Sequence, residues 1–185
     1  MATRRSSTTT RKSSSNDALA MLMADHKKVQ KMFRDFEKKC ESDPEEAEQI
    51  MTLAIAELKI HTTLEEEMFY PEARQALGAA ADLVDEAEIE HGAAKSLIQQ
   101  IEQMQSNDGH RTAAFKVLGE YVKHHIQEEE KEMFPKLKRA KVDFESMSRQ
   151  MMERKQQLQS ELGVEPEEEA ESARGRRGEE ATHAR

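Results

Sequence analysis

Cysteine occurs once in the chain, at Cys40, which excludes an intramolecular disulfide framework and a cysteine-based zinc site. No apolar run approaches the ~20 residues that a membrane-spanning helix needs. Seven glycines and four prolines are few for a chain of 185 residues with many turns, and this argues against an all-β fold. Positive charge is in deficit. With 28 Lys+Arg against 37 Asp+Glu the formal charge is −9, a poor basis for binding nucleic acid through its phosphates. HExxH, GxGxxG, GxSxG and the phosphate-binding GxxxxGK pattern are all missing. What is plentiful is Ala, Glu, Lys, Gln, Leu and Met, the residues of helices, at a length that suits one domain with tails.

Residues 1–15 are basic and Ser/Thr-rich, and no acid precedes Asp17. The apolar stretch of a secretory signal is absent, and so is the apolar face of an amphipathic transit peptide. A solvated, disordered tail is expected there, on a cytoplasmic protein. Residues 164–185 are charged and aperiodic and read as a second disordered tail. Residues 16–138 hold four helical segments, and residues 139–163 an additional C-terminal helix.

The four segments run over about Asn16–Cys40, Asp43–Tyr70, Ala80–Gln105 and Arg111–Lys138, with apolar residues at steps of three and four. The inward residues are Leu19, Leu22, Val29, Phe33 and Phe36, then Met51, Ala54, Leu58 and Met68. Val84, Ala87, Ala94, Ile98 and Ile101 follow, then Ala114, Leu118, Tyr121 and Val122. Pro71 is expected to kink or end the second segment. A fifth helix, about Val142–Leu162, carries Phe144, Met147, Met151, Leu158 and Leu162 on one side and stops at Gly163. Short connections between such helices predict an all-α, antiparallel up-down four-helix bundle, with the fifth helix along its outside or serving another chain.

Each of the four seams is interrupted by a histidine: His26, His61, His91 and His125. The interruptions repeat. HTTLEEEMFYP begins at His61 and HIQEEEKEMFP at His125, 64 residues later; Asp25-His26 and Glu90-His91 lie 65 apart. His61 with Glu65, and His125 with Glu129, are four residues apart and so share one helical face. One such pair means little in a chain rich in glutamate. Four inward imidazoles and two inward carboxylates in one bundle are another matter, because buried, unpaired carboxylates cost several kcal/mol or protonate. Metal cations supply the missing charge, and this donor set suits iron, manganese or zinc. His110, His124 and His183 lie off the seams, and Glu88-x-x-His91, the single instance in the helical segments, falls short of the paired motif of ferritin-like di-iron proteins.

The order His, HxxxE before FYP, His, HxxxE before FP resembles the hemerythrin-like (HHE cation-binding) domain over about residues 17–138. The resemblance implies a non-haem di-iron centre, two oxo- or hydroxo-bridged irons, with His26, His61, Glu65, His91, His125 and Glu129 as ligands and the two glutamates bridging. Oxygen-carrying members have a further histidine one turn after the third; here that position is Lys95. Water, another carboxylate such as Glu88, or an open position would take its place. Tyr121, one turn before His125, is either a core tyrosine or a hydrogen-bond donor to the centre. The implied function is to bind, sense or detoxify O2 or a related small oxidant, peroxide or nitric oxide. A peroxidase- or oxidase-like enzyme, without assigned catalytic residues, is one alternative. A helical interaction module with a structural metal is another. No nucleic-acid or membrane partner is expected.

Overall fold

The computed structural model describes residues 17–165 except 107 and 141. The expected N-terminal tail and all but the first two residues of the C-terminal one lie outside this range. Asp17 starts α1 (Ala18–Lys39) by accepting the Ala20 N–H at 2.8 Å. Asp43 does the same for α2 (Pro44–Leu64) through Glu46 N–H at 3.1 Å, with Pro44 at the position where its missing N–H is harmless.

Pro71 does not end this rod. α2 passes into a π-helical turn at Glu65–Phe69 and resumes as α3 (Tyr70–Leu77). After α4 (Asp82–Gln103), the second copy repeats the device: α5 (Gly109–Glu128), a π turn at Glu129–Met133, and α6 (Phe134–Leu137). Each π turn opens on the glutamate of an HxxxE pair. Tyr70 N–H reaches back five residues to the Glu65 carbonyl, and Phe134 N–H to that of Glu129. Next in line stand Pro71 and Pro135, which have no N–H to place, so the ladder widens where a donor is absent.

The rods form an antiparallel up-down four-helix bundle, with no strand among the described residues. On α5 the buried stripe is Phe115, Leu118, Val122 and Ile126; Ala114 is only partly covered, and Tyr121, expected inward, is 53% exposed. Phe115 wins the inner position because its ring meets Phe33 and Phe36 at 4.8 and 4.6 Å. Gly119 admits Phe33: a Cβ there would come within 2.9 Å of the ring.

The additional helix, α7 (Phe144–Leu162), packs along the outside of α1 and α2 and buries Met147, Met151 and Leu158; Leu162 stays 43% exposed. Gly163 turns left-handed at φ 65°, so that Val164 N–H bonds the Gln159 carbonyl at 2.9 Å. Val164, the first residue of the segment read as a tail, is thereby buried.

Two apolar cores result. One gathers Leu19, Leu22, Ile60, Leu64, Phe69 and Phe134 with the inner face of α7. The other gathers Val29, Phe36, Leu58, Ile98, Phe115 and Leu118. Between them lies a polar layer.

Candidate metal centre

The polar layer holds all six residues expected from the sequence. His26 follows Leu22 on α1, His61 follows Leu58 on α2, His91 follows Ala87 on α4 and His125 follows Val122 on α5, while Glu65 and Glu129 head the π turns. All six are buried. Their inner atoms converge. His61 Nε2 lies 3.1 Å and His91 Nε2 3.3 Å from Glu65 Oε2. His26 Nε2 lies 3.2 Å and His125 Nε2 3.5 Å from Glu129 Oε2. His26, His61, Glu65 and Glu129 form one cluster of donor atoms within 4.8 Å of one another; Glu65, His91 and His125 form another. Each carboxylate therefore touches one histidine from each half of the chain.

Behind the rings stands a ring of outer carboxylates, one facing each Nδ1. Glu130 is 2.9 Å from His26, Glu66 3.0 Å from His91 and Glu90 2.8 Å from His125. Asp25 faces His61 at 3.8 Å. Such partners aim the opposite nitrogen, Nε2, into the centre and raise its basicity. The pattern is crosswise: the acid that precedes a histidine on α1 or α4 serves the next rod, and the acid that follows Glu65 or Glu129 serves the other half. None of these four residues was expected from the sequence to serve the centre. Their signal was present in the repeats Asp25-His26, Glu90-His91, Glu65-Glu66 and Glu129-Glu130, but a single helix does not reveal which neighbour its acids serve.

The carboxylates demand positive charge. Burial lowers the pKa of His61, and Glu65 and Asp25 override it, lifting it to about 10. Burial likewise opposes charge on His125, but Glu129 and Glu90 raise it. Glu65 moves the other way: burial raises it, and His61 and His91 pull it well below the usual carboxylate range.

The donor set fits a pair of cations. Both Glu65 oxygens, both His61 nitrogens, His26 Nε2 and Glu129 Oε2 are buried with no hydrogen-bond partner, although His61 Nε2 stands 3.1 Å from Glu65 Oε2 and His26 Nε2 3.2 Å from Glu129 Oε2. Lone pairs aimed at one small volume without proton-sharing alignment are what metal ligation requires. Six carboxylates of the two shells, against the ammonium groups of Lys155 and Lys95, leave four negative charges with the imidazoles neutral, the charge of two divalent ions.

Lys95, Glu88 and Tyr121 do not reach the donor atoms of the layer, although Lys95 and Tyr121 line the cavity beside it. Lys95 bonds both oxygens of Glu66 at 2.5 and 2.6 Å and is 44% exposed. Glu88 pairs with Arg74 at 3.0 Å on the surface. Tyr121 makes no hydrogen bond to the layer's ligands. The buried hydroxyl that does reach them belongs to Tyr70: it donates to Glu129 Oε1 at 3.0 Å and lies 3.2 Å from His91 Nε2. Burial and the charges of Glu65 and Glu129 hold its pKa well above the ordinary phenol value. The sequence shows it as the tyrosine of FYP, where the second copy has Phe134.

A cavity of about 30 Å³ adjoins the layer, lined by all four histidines, by the aliphatic side chains of Val29, Leu58, Ala94, Ile98, Val122 and Ile126, and by Asp25, Glu57, Thr62, Glu90, Lys95 and Tyr121. That is room for roughly two water-sized molecules at about 10–15 Å³ each. No helix among the described residues is long and apolar enough to cross a membrane.

The fold is similar to a crystal structure of a hemerythrin HHE cation binding domain-containing protein from Mycobacterium kansasii, with a TM-score of 0.66 and 22% identity over 78% of this chain and 88% of that one. No curated protein matches the chain. The family model described as hemerythrin HHE cation binding domain matches residues 17–137, the bundle without α7. This chain, a metal-binding helical bundle, belongs to the hemerythrin HHE cation-binding family.

Proposed function

We propose that the chain holds two iron ions, one by His26 and His61, the other by His91 and His125, with Glu65 and Glu129 shared, and that it binds, senses or detoxifies O2 or a related small oxidant. The observation that carries this reading is the cavity. It abuts all four imidazoles, its walls combine aliphatic side chains with Asp25, Glu57, Thr62, Glu90, Lys95 and Tyr121, and about 30 Å³ has room for a diatomic or a peroxide. Bound iron would supply the electrons and an open coordination position. The protein's own contribution is structural and electrostatic. Glu130, Asp25, Glu66 and Glu90 aim the rings, the two apolar cores keep bulk water out, and the Tyr70 hydroxyl holds a proton at Glu129 Oε1, beside the donor atoms of His91. That buried phenol is also the observation that favours a catalytic variant of the reading, turnover with peroxide, because it offers a proton inside a buried site.

Metal analysis of protein purified without added metal, with a spectrum in air, tests the centre. Two irons per chain and an oxygen-dependent near-UV and visible absorption are expected. A reproducible single metal, or zinc alone after growth in iron-rich medium, would refute it. Steady consumption of added peroxide separates turnover from binding.

A further inference from the structure

Three of the four outer carboxylates hydrogen-bond their histidine directly, at 2.8–3.0 Å. Asp25 does not. Its Oδ2 stops 3.8 Å from His61 Nδ1, and both atoms are buried without a hydrogen-bond partner. Its other oxygen is held by Lys155 Nζ, from α7. Asp25 and Lys155 are 11% and 17% exposed, so the pair is largely shielded. The neighbouring Arg154 grips Glu67, within the π turn that starts at Glu65, through two hydrogen bonds of 2.8 and 3.1 Å. Two consecutive cations of one helix thus fasten the outer partner of His61 and the turn that carries Glu65. Both lie beyond the residues that define the family, 17–137.

We propose that α7 is part of the metal centre and that Lys155 is a positioning residue for the ion held by His26 and His61. The inference rests on the two-ion reading above. Lys155 holds Asp25 at the back of His61; a shift of about 0.8 Å closes the gap to hydrogen-bond range and fixes the ring with Nε2 inward. Without the ammonium, Asp25 is a shielded carboxylate that has lost its ion-pair partner, and rotation toward solvent is its relief. His61 then loses its orienting partner, and one ion of the two loses grip. The ion between His91 and His125 keeps its own partners, Glu66 and Glu90, and is untouched.

The test uses the iron-loaded full chain and follows iron release to a strong chelator, with melting of the metal-free chain by circular dichroism as the structural control. Lys155→Met keeps the aliphatic stem and removes the charge. It is expected to release one ion about 10–100-fold faster than the parent and the other at the parent's rate, with metal-free melting like that of the surface control Arg149→Met. Lys155→Arg is expected to restore slow release to within about threefold. Asp25→Asn, which leaves the packing of α7 intact, is expected to show the same selective loss, so the proposal remains testable should Lys155→Met not fold. Unchanged release in Lys155→Met and Asp25→Asn overturns the inference. So does an equal acceleration of both ions together with lowered metal-free melting, which would make α7 a cover only. A parent chain that holds fewer than two ions refutes the centre itself, whereas a two-ion parent with indifferent variants refutes the role of Lys155 alone.

Discussion

At the His26–His61 end of the polar layer, the ring of Phe134 lies parallel to His26 with centroids 5.9 Å apart. At the His91–His125 end, Tyr70, 64 residues earlier in the repeat, lies 5.3 Å from His91 and adds one oxygen atom that reaches Glu129. The outer carboxylates differ as well. Asp25 is fastened from α7, while its counterpart Glu90 bonds His125 directly at 2.8 Å, and its other oxygen lies 3.7 Å from the exposed His124. The repeat therefore sets the ligands, and two departures from it, a hydroxyl at one end and a lysine at the other, make the ends unequal. One end carries a proton donor; the other is braced by a helix outside the repeat.

The most destructive way to test the partition is to remove what the ends share. Glu65 touches His61 and His91 alike. Glu65→Ala should lower metal content from two ions toward none, whereas His26→Ala should leave about one, as read by elemental analysis. Equal content in the two variants would mean that Glu65 serves one ion only.

A second large effect concerns pH. The pKa of His61 is raised from 6.5 to about 10, so in the metal-free chain its protonated form contributes stability that is complete below pH 6.5 and is lost as pH rises through about 10. A metal ion takes the place of that proton and removes the loss. The gap in thermal midpoint between loaded and metal-free protein should widen by more than ~5 °C from pH 7 to pH 10. A constant gap would mean that His61 is not the group whose proton the metal replaces.

Tyr70→Phe makes the two ends alike. It removes a buried hydrogen bond to a carboxylate, at a cost of about 1.5–3 kcal/mol in denaturant unfolding. Metal content should stay at two ions, and iron spectroscopy should show the two environments drawing together. Retention of the parent's spectral asymmetry would assign that asymmetry to Asp25 and Lys155. The smallest effect is expected from Lys95→Met. Lys95 fastens Glu66 as Lys155 fastens Asp25, but the pair is 44% and 33% exposed, and screened surface pairs contribute about 0.2–1 kcal/mol. Iron release within about threefold of the parent would confirm that depth, not charge alone, distinguishes the two lysines.

The bundle and the six inward residues were legible because helical period is a property of one strand of sequence: a histidine in an apolar seam stands out without any partner. The register of α5 was legible in part: Leu118 and Val122, expected inward, are buried, whereas Tyr121, also expected inward, is exposed. Steps from His125 back to Tyr121 or to Val122 both satisfy a period of 3.6, and only the rings of Phe33 and Phe36 decide in favour of Phe115 and Val122. The π turns left one trace, a proline ten residues after His61 and after His125, which local rules read as a kink or an end. Tyr70 was hidden by the same turn, since the widened backbone brings it to the layer from a position that a regular helix would place elsewhere. The outer carboxylates and Lys155 act across helices, and no single-helix pattern encodes such pairing.

The division of the interior into two apolar cores by a layer of ionisable groups has a consequence for the life of the chain in a cell. The layer is cohesive only when its charge is balanced, so a cation that binds the folded form and not the unfolded one adds stability by mass action, about 2.7 kcal/mol at a hundred times its dissociation constant. Chains made while metal is scarce would open at the middle more often, offering α1 and α5 to proteases between two intact cores. Metal supply would then govern how many copies persist as well as how many are loaded.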